Sequence, residues 1–426
     1  MNMNNQLLHT PEGVRDIYAE ECARKLAVEQ KIQHVFGLYG YQSIETPVFE
    51  FFDIFKKERG SVGSQGMYKF FDRDNNTLVL RPDMTPPIAR CVAKYYMDET
   101  KPLRLCYLGP TFINGTSYQG RLKESTQTGA ELIGDDSADA DAEMIAMVID
   151  ALKETGLKEF QVELGQVEFY RGLVEESGMD EETQDQLRVL IENKNYFGVE
   201  ELLSEQTMSE KLKKLFLKLP ELFGDIDQIR IAKSMTTNAR ALGAIRRLEE
   251  VQEILDSYGL GDYVSYDLGM LSKYSYYTGI IFKAYTYGTG EYIVAGGRYD
   301  KLLEQFGKKA AAVGFAIMAD QLLLALSRQK IRIDVKMNDT IILYDPSARD
   351  KAIRLACQFR NAGIQAQLTP RAEAETMDAY LDYARRFQMH RLISLPEDGN
   401  TAWVFDTETG VSSSLPYSET VRDYIH

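Results

Sequence analysis

The stretch GPTFINGTSYQGRLKESTQTGAELIG, residues 109–134, reads as two strands joined by a loop rich in Gly, Asn and Ser. Side chains alternate along a strand, so Gln127, Gly129 and Glu131 share one face of the second strand. The glycine is expected to leave space above the backbone between the two polar groups. This is the pattern of a ligand shelf. The first strand ends in Phe112-Ile113, apolar where a polar pocket would continue, so the shelf and its entrance differ in character.

On the N-terminal side, Val28, Ile32, Val35, Phe36 and Tyr39 recur at helical spacing and Gly40 closes the run. Short strand-like pieces follow in SIETPVFE and TLVLRPD, separated by the polar loop GSVGSQG. On the C-terminal side a helix is expected over 139–155, with Met144, Ile145, Val148 and Leu152 on one face and acidic residues at its start, where the helix dipole favours them. FQVELG then alternates as a strand. Residues 168–261 are charged, Leu-rich and helical in pattern, which predicts a helical insertion between two halves of a mixed sheet domain. SYYTGIIFKAYTYGTGEYIVAGGRYD reads as a hairpin turned at Gly288-Thr289-Gly290, and GFAIMADQLLLAL as an apolar helix completing a domain that spans 1–326. A polar linker over 327–338 leads to strand-helix-strand alternation in 339–426, the pattern of a small separate α/β domain.

The chain has 426 residues, 44% of them hydrophobic and 27% charged, in the range of ordinary soluble globular proteins of two or three domains. No apolar run is long enough to span a bilayer, and MNMNNQLLHT lacks the features of a signal peptide, so a cytoplasmic location is expected. Cys22, Cys91, Cys106 and Cys357 have no metal-site or disulfide spacing and fit buried reduced thiols. With four histidines in all, a histidine-built metal centre is not expected. The net charge of −15 opposes long-range attraction to a polyanion, which sets tRNA and other nucleic acids aside as expected partners.

The order of these motifs resembles the class II histidyl-tRNA synthetase family over nearly the whole chain. TPEGVRDIYAEE is similar to the family's opening segment. GYQSIETPVFE is similar to motif 1, with Pro47 at the dimer-forming position. MYKFFDRDNNTLVLRPDMT resembles the substrate-holding segment, residues 109–134 motif 2, SYYTGIIF the histidine-specific tyrosine segment, and AGGRYDKLL with VGFAIMADQLL the glycine turn and motif 3. The resemblance implies an α+β fold, with a class II synthetase-like core of mixed, largely antiparallel sheet flanked by helices. It also implies that Asp83, Thr85, Gln127 and Glu131 hold an amino acid's α-ammonium, with Tyr276 and Tyr277 near an imidazole. Taken singly, Gln127 and Glu131 fit a solvated strand face and the tyrosines fit aromatic packing; their coincidence within one scaffold favours a site.

Three guanidinium groups of the synthetase pattern are absent: Ile113, Ser272 and Gln321 occupy their positions. Adenylation builds negative charge on phosphorus, and one preorganised donor is typically worth about a hundred- to thousand-fold in rate. Arg121, Lys123, Lys273 and Arg298 remain nearby in sequence, Arg121 as a candidate phosphate or ligand contact that fits a surface ion pair equally well.

A synthetase-like scaffold without these arginines resembles a second family, the regulatory subunits of ATP phosphoribosyltransferase. Asp83 stands where the synthetase usually has glutamate, and TPEGVRD and LRPDMTPPIAR are closer to this family. The resemblance implies no catalytic residue, cofactor or metal in the chain. It implies a short-form catalytic subunit as partner, self-dimerisation within a hetero-oligomer, and histidine as feedback effector. The C-terminal domain resembles an anticodon-binding domain without an evident basic face. Two other readings stay open at this level: a working histidyl-tRNA synthetase and a free-standing histidine sensor.

Overall fold

The computed structural model describes residues 7–56, 62–115, 122–271, 276–335, 339–397 and 399–420. Arg121, Ser272, Lys273 and Ser275 lie outside these described residues. The chain divides into two compact units, the larger ending at Ile333 and the smaller running from Asp334 onward together with Tyr18–Arg24.

The first elements are α1 (Ala19–Leu38), β1 (Gln42–Ser43), β2 (Phe49–Phe51), β3 (Lys69–Phe71), β4 (Thr77–Leu80) and α2 (Thr85–Tyr95). Gly40, at φ +81°, takes the left-handed conformation that ends α1. The expected strand over SIETPVFE is split into β1 and β2, with Pro47 between them. Strands β2, β4 and β3 form a small antiparallel sheet. It presents Phe49, Phe51 and Phe70 to solvent, with the Phe49 and Phe70 rings edge to face at 5.9 Å.

The core continues with β5 (Leu103–Phe112), β6 (Glu124–Ile133), α3 (Ala138–Glu154) and β7 (Phe160–Gln166). Then come α4 (Val167–Ser177), α5 (Glu181–Glu192), α6 (Tyr196–Ser204), α7 (Glu210–Lys218), β8 (Phe223–Gly224), α8 (Ile226–Met235), α9 (Ala239–Ser257) and β9 (Val264–Asp267). The segment expected to be a purely helical insertion thus also contributes β8, which pairs with β9 at the sheet edge. Its helices start on side-chain caps. Asp180, Ser209, Asp225 and Asn238 each accept from the backbone N–H of the second or third residue of the following helix, satisfying donors that have no partner inside it.

After β9 come β10 (Ile280–Thr286), β11 (Val294–Arg298), β12 (Ala312–Met318) and α10 (Ala319–Arg328). The hairpin of β10 and β11 forms as expected. The helix expected over GFAIMADQLLLAL does not: its first half belongs to β12, and α10 begins only at Ala319. A run that is apolar on both sides has no period to distinguish strand from helix, and β12 is buried on both faces as a central strand. The large sheet has the order β1-β5-β6-β12-β11-β10-β7-β9-β8 and is antiparallel except at β1/β5 and β7/β9. One face packs on α1, α3 and α9 through Phe36, Leu132, Ile145, Leu248 and Phe315.

In the smaller unit, β13 (Thr340–Tyr344), α11 (Arg349–Asn361), β14 (Ala366–Pro370), α12 (Met377–Arg386) and β15 (Arg391–Leu395) give the expected alternation with parallel pairing. An antiparallel hairpin, β16 (Thr401–Asp406) and β17 (Ser412–Pro416), extends the sheet on one side. Of the four cysteines only Cys106 is buried; Cys357 is exposed, contrary to expectation. Ala352, Leu355, Ala356 and Phe359 fill the inner face of α11, leaving residue 357 on the outer one.

Candidate amino-acid pocket

Alternation along the large sheet assigns Gln127, Gly129 and Glu131 to the face opposite α3. In register with them on β12 and β11 are Met318, Ala316 and Gly314, then Ala295 and Gly297. Apart from Met318 beside Gln127, these floor positions are glycine or alanine. A side chain on Gly314 would collide with the Glu131 carboxylate, its Cβ falling 1.6 Å from Oε2, so this glycine is what lets the carboxylate lie across the strand. Gly129 plays a different part from the one expected. A Cβ there would fall 2.0 Å from the Phe315 carbonyl oxygen and 2.5 Å from the Tyr107 hydroxyl, so Tyr107 already fills the space. Tyr107, cross-strand partner of Gly129, is wholly buried and donates to the Phe315 carbonyl oxygen at 3.2 Å.

Glu131 is buried with 1% of its surface exposed. Thr85, at the first position of α2, donates through Oγ1 to Glu131 Oε1 at 2.7 Å, and the Tyr299 hydroxyl donates to Oε2. Burial pushes the Glu131 carboxyl up to about 8; the two hydroxyls pull against that shift and the Asp83 carboxylate adds to it. Asp83 is itself buried, and its Oδ1 accepts from the Thr85 backbone N–H at 3.2 Å, fixing the turn into α2. Tyr276 and Tyr277 stack tilted at 4.7 Å, and Tyr276 meets Tyr299 edge on at 6.2 Å. The structure thus brings Asp83, Thr85, Glu131, Tyr276 and Tyr277 into one neighbourhood.

Gln127 stands two places further along the same strand face. Its Nε2 lies 3.7 Å from Met318 Sδ, and its Oε1 is buried without a donor among the described residues. A desolvated carbonyl oxygen of this kind has an unmet need for an N–H, which an ammonium group supplies. Beside Tyr277 the same sheet face opens into a cavity of about 600 Å³, bounded by Ile281, Lys283, Ala295 and Asp267 of the core and by Lys194 of the insertion.

Sequence reasoning passed over Tyr107, Tyr299 and Arg81. Gly296, Gly297 and Arg298, expected as a glycine turn, are paired residues of β11, and the alternation that carries Arg298 to one face of the sheet carries Tyr299, which follows it, to the other. Arg81 is buried beneath Gly109, and its donors serve the main-chain oxygens of Pro110 at 2.8 Å and Thr46 at 2.7 Å.

At the entrance, Ile113 is exposed past the end of β5. Asp320 at the start of α10 accepts from the Thr126 backbone N–H at 2.9 Å, tying that helix to β6. Of the cations named as nearby in sequence, Arg298 is buried on the opposite face with Asp141, and Lys123 packs its methylenes against Gly13. Lys123 is the backbone neighbour of Ile113, its carbonyl oxygen accepting from the Ile113 N–H at 2.8 Å.

A family model described as Histidyl-tRNA synthetase matches residues 13–322. An ATP phosphoribosyltransferase regulatory subunit of Acetivibrio thermocellus is 40% identical over 415 residues, 97% of this chain and 99% of that one. A crystal structure titled as an ATP phosphoribosyltransferase regulatory subunit/histidyl-tRNA synthetase from Bacillus halodurans superposes with a TM-score of 0.83 at 34% identity, covering 92% of this chain and 98% of that one. Histidyl-tRNA synthetase from Nostoc superposes with a TM-score of 0.81 at 18% identity over 99% of both chains, a likeness of fold. On this evidence the chain belongs to the ATP phosphoribosyltransferase regulatory subunit family, built on the class II histidyl-tRNA synthetase fold.

Proposed function

We propose that the chain is the regulatory subunit of ATP phosphoribosyltransferase in histidine biosynthesis, inactive as a synthetase, and that it activates a short catalytic subunit and makes it sensitive to histidine. The observation that carries this reading is the contrast within residues 109–134. The ammonium end of the pocket keeps Asp83, Thr85, Gln127 and Glu131, while Ile113 stands exposed where phosphate chemistry needs a cation.

Histidine is held by these residues with Tyr276 and Tyr277 beside its ring. Its ammonium meets the Gln127 carbonyl oxygen, the Asp83 carboxylate and the Glu131 carboxyl, whose ionised form the incoming positive charge favours against burial; each charge-assisted hydrogen bond contributes about 1.5 to 3 kcal/mol. Regulation follows if histidine binds the inhibited arrangement of the complex more tightly than the active one, since equal affinity shifts nothing. The exposed aromatic face of β2 and β3 beside Pro47 supports self-dimerisation. The chain works in the cytoplasm with its partner; among the described residues no helix is long and apolar enough to cross a membrane.

The test is co-purification with a short-form catalytic subunit, followed by phosphoribosyl transfer with and without histidine. The reading fails if no complex forms and the transfer rate does not change. Histidine-dependent ATP–pyrophosphate exchange by the chain alone would establish a working synthetase instead.

A further inference from the structure

Asp141, on α3, is wholly buried, yet it has no place in the pocket. Two guanidinium groups from different parts of the chain converge on it. Arg298, at the end of β11, donates through Nε to Asp141 Oδ1 at 2.9 Å, and Arg247, on insertion helix α9, donates through Nε to Oδ2 at 2.7 Å. One carboxylate therefore joins the insertion to the sheet with no spare oxygen.

From Arg298 the contacts continue toward the pocket. Its Nη1 reaches Asp300 Oδ1 at 3.2 Å, and Asp300 Oδ2 accepts from Thr278 Oγ1 at 2.9 Å. Between these two residues Tyr299 points to the other face of the sheet and donates to Glu131. Thr278 directly follows Tyr276 and Tyr277, and its N–H donates to the Arg298 carbonyl oxygen at 2.7 Å. A second set of contacts runs beside the first. Arg171 of α4 donates to the Tyr277 carbonyl oxygen at 2.9 Å and to Glu168, and Glu168 also accepts from Arg240 of α9. The tyrosine segment is gripped on its backbone and at Thr278, and both grips lead to α9.

We propose that Asp141 and Arg247 are positioning residues for the pocket, joining α9 to Tyr299 and the segment 276–278 so that the insertion and the amino-acid pocket order together. The proposal rests on the reading that histidine fills the pocket. Asp141 is shared by two guanidinium groups, so loss of Arg247 cuts the contact to α9 while Arg298 still neutralises the buried carboxylate. The joint thus lies between a local ordering event at the pocket and a helix of the insertion.

The test uses the full chain, hydrogen–deuterium exchange and histidine as the probe. Arg247→Met keeps most of the apolar stem of a side chain that is only 24% exposed and leaves Asp141 paired with Arg298; Arg247→Lys keeps the charge. Without histidine, Arg247→Met is expected to raise exchange at 276–279, and Arg247→Lys to reverse most of that rise. Histidine is expected to protect α9 in the wild type but not in Arg247→Met, and to bind that variant about tenfold more weakly, within the range usual for coupled sites. Unchanged exchange at 276–279 in Arg247→Met refutes the joint whether or not histidine binds. Histidine binding that leaves α9 unprotected in the wild type refutes it as well. Failure of histidine to bind the wild type, with exchange at 276–279 raised in Arg247→Met, refutes the effector reading and leaves the joint standing.

Discussion

Thr85 Oγ1 lies 2.7 Å from Glu131 Oε1, so a hydroxyl at the start of a helix holds a carboxyl group buried in the middle of a sheet. With Tyr299 on the other oxygen, Glu131 has one donor for each of its two oxygens. Burial outweighs both and favours the protonated form up to about pH 8.

This shift has a definite sign in stability. The folded state holds a proton on Glu131 up to about pH 8, whereas the unfolded chain releases it near the ordinary value of 4.5. The contribution is complete below pH 4.5 and is lost as pH rises to 8, at up to about 1.4 kcal/mol per pH unit. Glu131→Gln, neutral throughout, is expected to flatten this part of the pH profile of chemical denaturation. A profile equally steep in wild type and variant would assign the slope to other groups.

Gly129→Ala tests the floor. The new methyl group would overlap the Phe315 carbonyl oxygen, which is backbone and cannot swing aside, as well as the Tyr107 hydroxyl. Overpacking against a buried strand is expected to cost about 2–4 kcal/mol in urea denaturation. A loss below about 0.5 kcal/mol would mean that the sheet relaxes at that point.

Ile113→Arg returns one guanidinium to the entrance. The position is exposed, so stability should change by less than about 0.5 kcal/mol. Gln321 and Ser272 still occupy the other arginine positions, and groups that act as a unit do not recover one at a time. No ATP–pyrophosphate exchange above background is expected, and measurable exchange would show that a single cation was the missing part.

Phe51→Asp places a charge in the aromatic face formed with Phe49 and Phe70. If that face seats a second copy, sedimentation should show the dimer weakened by about thirtyfold to several hundredfold, since a hot-spot aromatic is worth roughly 2–4 kcal/mol. The fold should survive because the side chain is already half in water. An unchanged sedimentation coefficient would remove this face from the dimer.

Much of this architecture can be read from local pattern. Strand β6 alternates through Gln127, Gly129 and Glu131, the β10–β11 hairpin is marked by the glycines of its turn, and α1, α3 and α11 have stripes ended by glycine or caps. Where pattern failed, burial was two-sided or the partner was remote. Strand β12 has no polar face to betray its period, and β8 is two residues recruited from among helices. Tyr107 could not be placed under Gly129 without knowing that β5 and β6 pair in that register. The Glu131–Tyr299 contact spans 168 residues and depends on β12 lying between the two strands that carry them.

The floor made by Gly129, Gly314 and Gly297 has a consequence for how such a molecule can change its occupation. A substituent at any of these positions meets backbone or a buried ring, so altering them endangers folding itself. Ile113, at the entrance, is open to water, and altering it endangers only the reaction. Vessel and reagent are thus built from different residues. A chain of this design can give up its chemistry one rim side chain at a time and still possess, unaltered, a cup shaped for the same guest.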